Sequence, residues 1–218
     1  LIERRNFMAS ANNRILLVHP LGYRSEAAGR DIARLANIMP PLGLASIAAW
    51  LEKQGFFATL VDCNAHLDSE RRIRELLRSE RPGWIGFSCT TASFLDGARL
   101  ARLARAEIPE IRTVFGGPHV SALKEKVLSD YPEVDVVVVG EGEETMAALL
   151  ASGGDRLTEI PGLVFRDGGA ARFTGYREQG IDLDRLPFPA YEKLAGYPQS
   201  YQLPIFNYPK APNSSCIS

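Results

Sequence analysis

"VFGGPHVSAL", residues 114–123, holds the end of an apolar run, two consecutive glycines and the start of a helical pattern. The unit reads strand, turn, helix, and the fold follows from how often it recurs. Working outward, "RILLVHP" (14–20), "FFATLVD" (56–62), "GWIGFS" (83–88), "RTVFGG" (112–117) and "VDVVVVG" (134–140) are all short, rich in Val, Ile and Phe, and bounded by Gly, Pro or Asp. Their hydrophobicity is continuous rather than alternating, which predicts strands covered on both faces, as in a parallel sheet between helices.

The segments between them fit helices. In 41–54, Leu44, Ile47, Ala48 and Leu51 follow the i, i+3, i+4, i+7 spacing, and Gly55 stands where a helix C-terminus is expected. Phe94, Gly97, Ala98 and Ala101 repeat that spacing in 93–106. Segments 68–79 and 120–130 are more polar, and 142–152 carries Met146, Leu149 and Leu150. Five such units predict an α/β fold: an open, doubly wound, flavodoxin-like or Rossmann-like sheet of five parallel strands in the order 2-1-3-4-5. After Gly154 the character changes. "GLVFRDGGAARF" (162–173) predicts a β-hairpin, and the Pro- and Tyr-rich stretch beyond it an extended arm with little core of its own. The expected divisions are an N-terminal extension (1–12), an α/β domain (13–155), a hairpin addition (156–180) and a linker (181–218).

Composition narrows the function. With 218 residues, 45% hydrophobic, 23% charged and a formal net charge of -1, the chain has no basic excess to favour nucleic acid or an anionic membrane. Its apolar runs are too short to span a bilayer. Cys63, Cys89 and Cys216 show no C-x-x-C spacing, which favours a reducing, cytoplasmic setting. The first residues lack the apolar core of a signal peptide, and Met8 is a candidate start.

In an open α/β sheet, ligands bind outside the carboxyl ends of the strands. Those loops read "HPLGYRS", "SCTTAS", "GGPHVS" and "GEGEET". Gly116 and Gly117 allow positive φ and close approach of a ligand, or simply make a tight turn. The first loop lacks G-x-G-x-x-G, and Glu141, Glu143 and Glu144 at a helix start would repel a pyrophosphate, so a dinucleotide is disfavoured. There is no Walker-A lysine. A phospho-receiver needs acidic residues where the chain has His19 and Ser88. His19, His66 and His119 are widely spaced and fit loop or capping roles better than metal ligation. Cys89 fits a small buried hydrophobe better than a nucleophile. Ser88, Thr90, Thr91 and Ser93 could bond a polar ligand or cap the following helix. No catalytic or metal-ligating residue is assigned.

Taken in order, "ILLVHP", "MPPLGLASIAAWLEKQG" (39–55), "ATLVDCNA" (58–65), "IGFSCTT" (85–91), "VFGGPHVS" (114–121), "VVVVGEGEET" (136–145) and "IPGLVFRDGG" (160–169) resemble the N-terminal cobalamin-binding domain of B12-dependent radical SAM proteins. That family includes methyltransferases and the anaerobic magnesium-protoporphyrin monomethyl ester cyclase. The resemblance covers about residues 14–215, and "DLDRLPFPAYEKL" (182–194) looks like the arm that precedes the radical SAM barrel.

The resemblance implies that cobalamin's nucleotide tail enters between the small-residue loops, with Gly116 and Gly117 leaving room beside Pro118 and His119. Ser88, Thr90 and Thr91 would bond its polar groups. Leu42 and Gly43 would lie near the corrin, and Gly140, Glu141, Gly142 and Glu143 beside the tail or the corrin's amide arms. Two departures qualify it. The D-x-H-x-x-G whose histidine ligates cobalt is absent, so no protein histidine is expected on the metal. The C-x-x-x-C-x-x-C for a [4Fe–4S] cluster and S-adenosylmethionine is also absent, so those groups and the radical chemistry are expected only in a C-terminal domain missing from this chain. The rival readings are a stand-alone flavodoxin-like binding or sensor module without cobalamin, and a small hydrolase or transferase using Cys89 or His119.

Overall fold

A computed structural model describes residues 11–22, 39–66, 68–177 and 182–201. The five expected strands are β1 (Arg14–His19), β2 (Phe57–Asp62), β3 (Trp84–Ser88), β4 (Arg112–Gly116) and β5 (Val136–Val138). They run parallel in the order β2-β1-β3-β4-β5, with Ile15 paired to Ala58 on one side and Trp84 on the other. The hairpin is β6 (Leu163–Asp167) and β7 (Ala170–Phe173), turning on Gly168 and Gly169 at φ 59° and 92°. It extends the sheet, because β6 pairs antiparallel with β5 and β7 with β6, giving seven strands.

The helices are α1 (Leu42–Lys53), α2 (Ser69–Glu80), α3 (Phe94–Glu107), α4 (Pro118–Leu123), α5 (Glu125–Asp130) and α6 (Glu143–Ala151). Strand residues alternate between two buried layers. Leu16, Val18, Ile85, Phe87, Phe115 and Val137 pack with Ile73, Leu77, Phe94, Leu100 and Leu128 from α2, α3 and α5. Ile15, Leu17, Trp84, Val114, Val136 and Val138 pack with Leu44, Ala48, Leu51, Met146 and Leu149 from α1 and α6. Both faces are covered by helices, which is why the strands read as continuous apolar runs. Each fully buried Leu, Ile or Val contributes about 1.5–3 kcal/mol against exposure.

Two elements differ from expectation. The single helix predicted over 120–130 begins at Pro118 and breaks at Lys124, whose φ of 47° and ψ of -117° are not helical. There Lys124 Nζ reaches the Tyr176 hydroxyl at 2.5 Å, 5.0 Å from the Phe173 ring centre, tying α4 and α5 to the hairpin. β5 is shorter than 134–140: Val134 N–H bonds back to the Tyr131 carbonyl, and Val139 N–H donates to the Gly162 carbonyl.

The arm lies along α1. Ala190 N–H donates to the Ala45 carbonyl at 3.0 Å, and Lys53 Nζ donates to the Arg185 carbonyl at 2.8 Å. Ala190, Leu194 and Tyr201 are buried against the α1 side of the core. Met8 and Cys216 fall outside the described residues. Among those described, no helix is long and apolar enough to cross a membrane.

Candidate functional site

The strand order reverses between β1 and β3, and a cleft of about 270 Å³ opens there, at the carboxyl ends of the strands between α1 and α6. Its floor is apolar: Leu17, Val114 and Val138 from the sheet, Leu44 and Ile47 from α1, Met146 from α6. Gly86, in the middle of β3, makes the depth. A Cβ there would stand 2.9 Å from Leu17 Cδ2 and 3.3 Å from Val114 Cγ1. The rim is made of Gly43, Ser88, Gly116, Gly117, Gly140, Glu141, Gly142 and Glu143.

The rim glycines do different things. Gly117, at φ 96°, is the helix-entry residue of α4, and a Cβ would lie 2.7 Å from the Cys89 carbonyl oxygen. Its need for glycine comes from the tight turn itself. Gly116 has no positive φ, correcting that expectation; its Cβ would find only the Val138 carbonyl oxygen, at 3.9 Å. Cβ atoms at Gly43 and Gly140 would meet nothing within 4 Å among the described residues. Gly43, Gly116 and Gly140 therefore hold the mouth open.

Of the residues expected at the site, Leu42, Thr90, Thr91, Pro118 and His119 stand outside the cleft lining. Thr90 and Ser93 close a turn, with Ser93 Oγ accepting from Thr90 N–H at 3.0 Å. Thr91 Oγ1 sits 3.2 Å from His119 Nδ1, and the His119 ring lies 4.5 Å from that of Phe94. Burial against that ring holds the His119 imidazole below its ordinary pKa. Glu143 Oε1 accepts from Ser46 Oγ at 2.7 Å and pins α6 to α1, while Glu141 is exposed at the rim. His19 Nδ1 is 3.1 Å from Asp62 Oδ1, and His66 Nε2 is 2.7 Å from the Ala195 carbonyl oxygen. Cys89 is fully buried, and burial, with Asp96 nearby, pushes its thiol well above its usual pKa. That removes the nucleophile required by a Cys89 hydrolase. Among the described residues no cluster of His, Cys, Asp or Glu is arranged to hold a metal ion.

The floor was missed from sequence. Its residues look like ordinary core, and the usable signal was Gly86, since glycine inside a strand marks close approach of a ligand or another backbone. An apolar slot with an open, small-residue mouth suits a flat, apolar group on a polar tether. The first turn of α1, which no side chain caps among the described residues, stands beside that mouth.

A family model described as the B12 binding domain matches residues 31–150. An uncharacterized methyltransferase of Pyrococcus horikoshii is 31% identical over 83% of this chain and 39% of its own length. The anaerobic magnesium-protoporphyrin IX monomethyl ester cyclase of Rubrivivax gelatinosus is 31% identical over 64% of this chain and 24% of its own. The fold matches the radical S-adenosylmethionine methyltransferase TsrM of Kitasatospora setae, solved with cobalamin and a [4Fe-4S] cluster bound. There the TM-score is 0.60 at 18% identity, over 75% of this chain and 31% of that one. This chain thus spans well under half of each. With a family match over more than half its residues, on a fold whose cleft lies at the switch point of the sheet, the chain belongs to the B12-binding domain family and is a cobalamin-binding domain corresponding to part of these longer proteins.

Proposed function

We propose that this domain holds cobalamin by taking its nucleotide tail into the cleft between α1 and α6. The observation that carries this is the slot itself: an apolar floor deepened by Gly86, under a mouth where Gly43, Gly116 and Gly140 leave open space. Leu17, Ile47, Val114 and Met146 would receive the apolar base. Ser88 and the first-turn amides of Leu42 and Gly43, which no side chain caps among the described residues, would meet the polar tether. Thr90, Thr91, Pro118, His119 and Glu141 would border the corrin above the rim. Gly142 packs on Ile47 and Glu143 is bonded to Ser46, so both shape the wall.

Bound cobalamin would supply a cobalt centre able to carry a methyl group. In this reading no protein histidine occupies its lower face. The parent protein is a cytoplasmic B12-dependent radical SAM enzyme, performing methyl transfer or a related conversion at an unreactive carbon. Its own radical SAM domain carries the cluster and S-adenosylmethionine and is the partner of this one.

The test is retention of hydroxocobalamin through desalting, read in the visible spectrum. The wild-type chain is expected to retain it with a base-off spectrum that His19→Gln and His119→Gln leave unchanged. Gly43→Trp, placed where a Cβ meets nothing within 4 Å among the described residues, is expected to weaken retention about tenfold or more at unchanged urea midpoint. Equal retention by Gly43→Trp would remove the tail from this cleft, and no retention by the wild type would favour the stand-alone module.

A further inference from the structure

On the α1 side of the sheet, the residues that end the strands form a lip running past the cleft. Leu17 lies in the cleft floor, and His19, two residues on, shares its face of β1. Val18 is paired with Phe87, so His19 stands level with Ser88, a residue of the rim. On its other side His19 is paired with Asp62 of β2. Across β2, β1, β3 and β4 the lip therefore reads Asp62, His19, Ser88, Gly116.

Asp62 is 2% exposed and holds the imidazole in one setting. Its Oδ1 lies 3.1 Å from His19 Nδ1 and accepts from Asn64 N–H at 3.0 Å. A carboxylate can only accept, so Nδ1 carries the proton, and Asn64 Nδ2 donates to the Pro20 carbonyl at 3.3 Å. The His19 carbonyl is fixed in turn by Cys63 N–H at 2.9 Å. With the backbone and Nδ1 committed, Nε2 is the nitrogen left for a ligand, on a side chain 26% exposed.

Charge identifies what that nitrogen would meet. Among the described residues the cleft lining holds Glu141 and Glu143 but no Lys, Arg or His. Cobalamin's tail carries a phosphodiester, and an anion entering past two carboxylates calls for a cation at the lip. A phosphate arriving at Nε2 favours the imidazolium, whose N–H donates to it. We propose that His19, oriented by Asp62, binds the phosphodiester of cobalamin's nucleotide tail, an assignment that rests on the tail lying in this cleft. The cobalt is not its target.

Two probes test this: hydroxocobalamin, and diaquacobinamide, which lacks the nucleotide and its phosphate. His19→Gln is expected to weaken hydroxocobalamin binding about tenfold or more, the loss of a charge-assisted hydrogen bond, at unchanged urea midpoint. Cobinamide binding is expected to stay as in the wild type. The phosphorus signal of bound hydroxocobalamin is expected to move in His19→Gln while its visible spectrum remains base-off. Equal weakening of both corrinoids, or a phosphorus signal that does not move, overturns the proposal. So does a changed visible spectrum, which would put His19 on the metal. Loss of cobalamin binding in Gly43→Trp with none in His19→Gln overturns this assignment and leaves the tail in the cleft. Cobalamin binding untouched by either substitution removes the tail from the cleft, and His19 from its phosphate.

Discussion

Gly117 and His119 sit two residues apart and illustrate how differently single positions are constrained. Gly117 combines a φ of 96° with a Cβ position 2.7 Å from a backbone oxygen. Gly117→Ala is therefore expected to cost about 3 kcal/mol or more, seen as a lower urea midpoint whether or not cobalamin is present. His119 has its imidazole pKa held down by burial. The unfolded chain takes up that proton near pH 6.5 and the folded chain only at lower pH, so stability falls as pH drops below about 6.5. His119→Gln is expected to flatten that slope in urea titrations run from neutral to mildly acid pH. From sequence alone the paired glycines could be seen but not told apart. Gly116 opens onto the cleft and Gly117 onto its own turn, and that distinction depends on where Cys89 lies.

At the level of elements, helix ends carry the most legible chemistry and the largest surprises. α2 ends at Arg81, held in the left-handed region at φ 44°, a position that suits glycine. Its ion pair with Glu110 joins two exposed side chains and contributes little. Arg81→Gly is expected to raise stability by up to about 1 kcal/mol, measurable by urea denaturation. The spacing of Leu44, Ile47, Ala48 and Leu51 placed α1 to within a residue at each end, because its apolar stripe and the following Gly55 are local signals. The break at Lys124 was not legible. It answers to Phe173 and Tyr176, about fifty residues away in sequence, and no local pattern reports such a contact. β5 was overestimated for the same reason: the apolar run continues while its backbone partners change.

For the whole molecule, the parallel order was readable because continuous apolar strands alternate with helices. The joining of the hairpin to β5, and the lie of the arm along α1, were not, since each depends on which edge or face remains uncovered. The arm is part of the core, not an ornament on it. Tyr201 is 1% exposed, and Tyr201→Ala is expected to cost about 3–5 kcal/mol in a global urea or thermal transition. A small change confined to local proteolysis near residue 201 would instead mean that the arm detaches without unfolding the sheet. Phe188, between two prolines of that arm, remains 96% exposed.

The hydrogen bond from Ala190 to the Ala45 carbonyl fixes the arm to the first turns of α1, the helix that forms one bank of the cleft. Ser46, the next residue, is the one that grips Glu143 on the opposite bank. The arm and α6 therefore take hold of α1 at adjacent residues, so a substitution that loosens either contact bears on the same bank of the cleft.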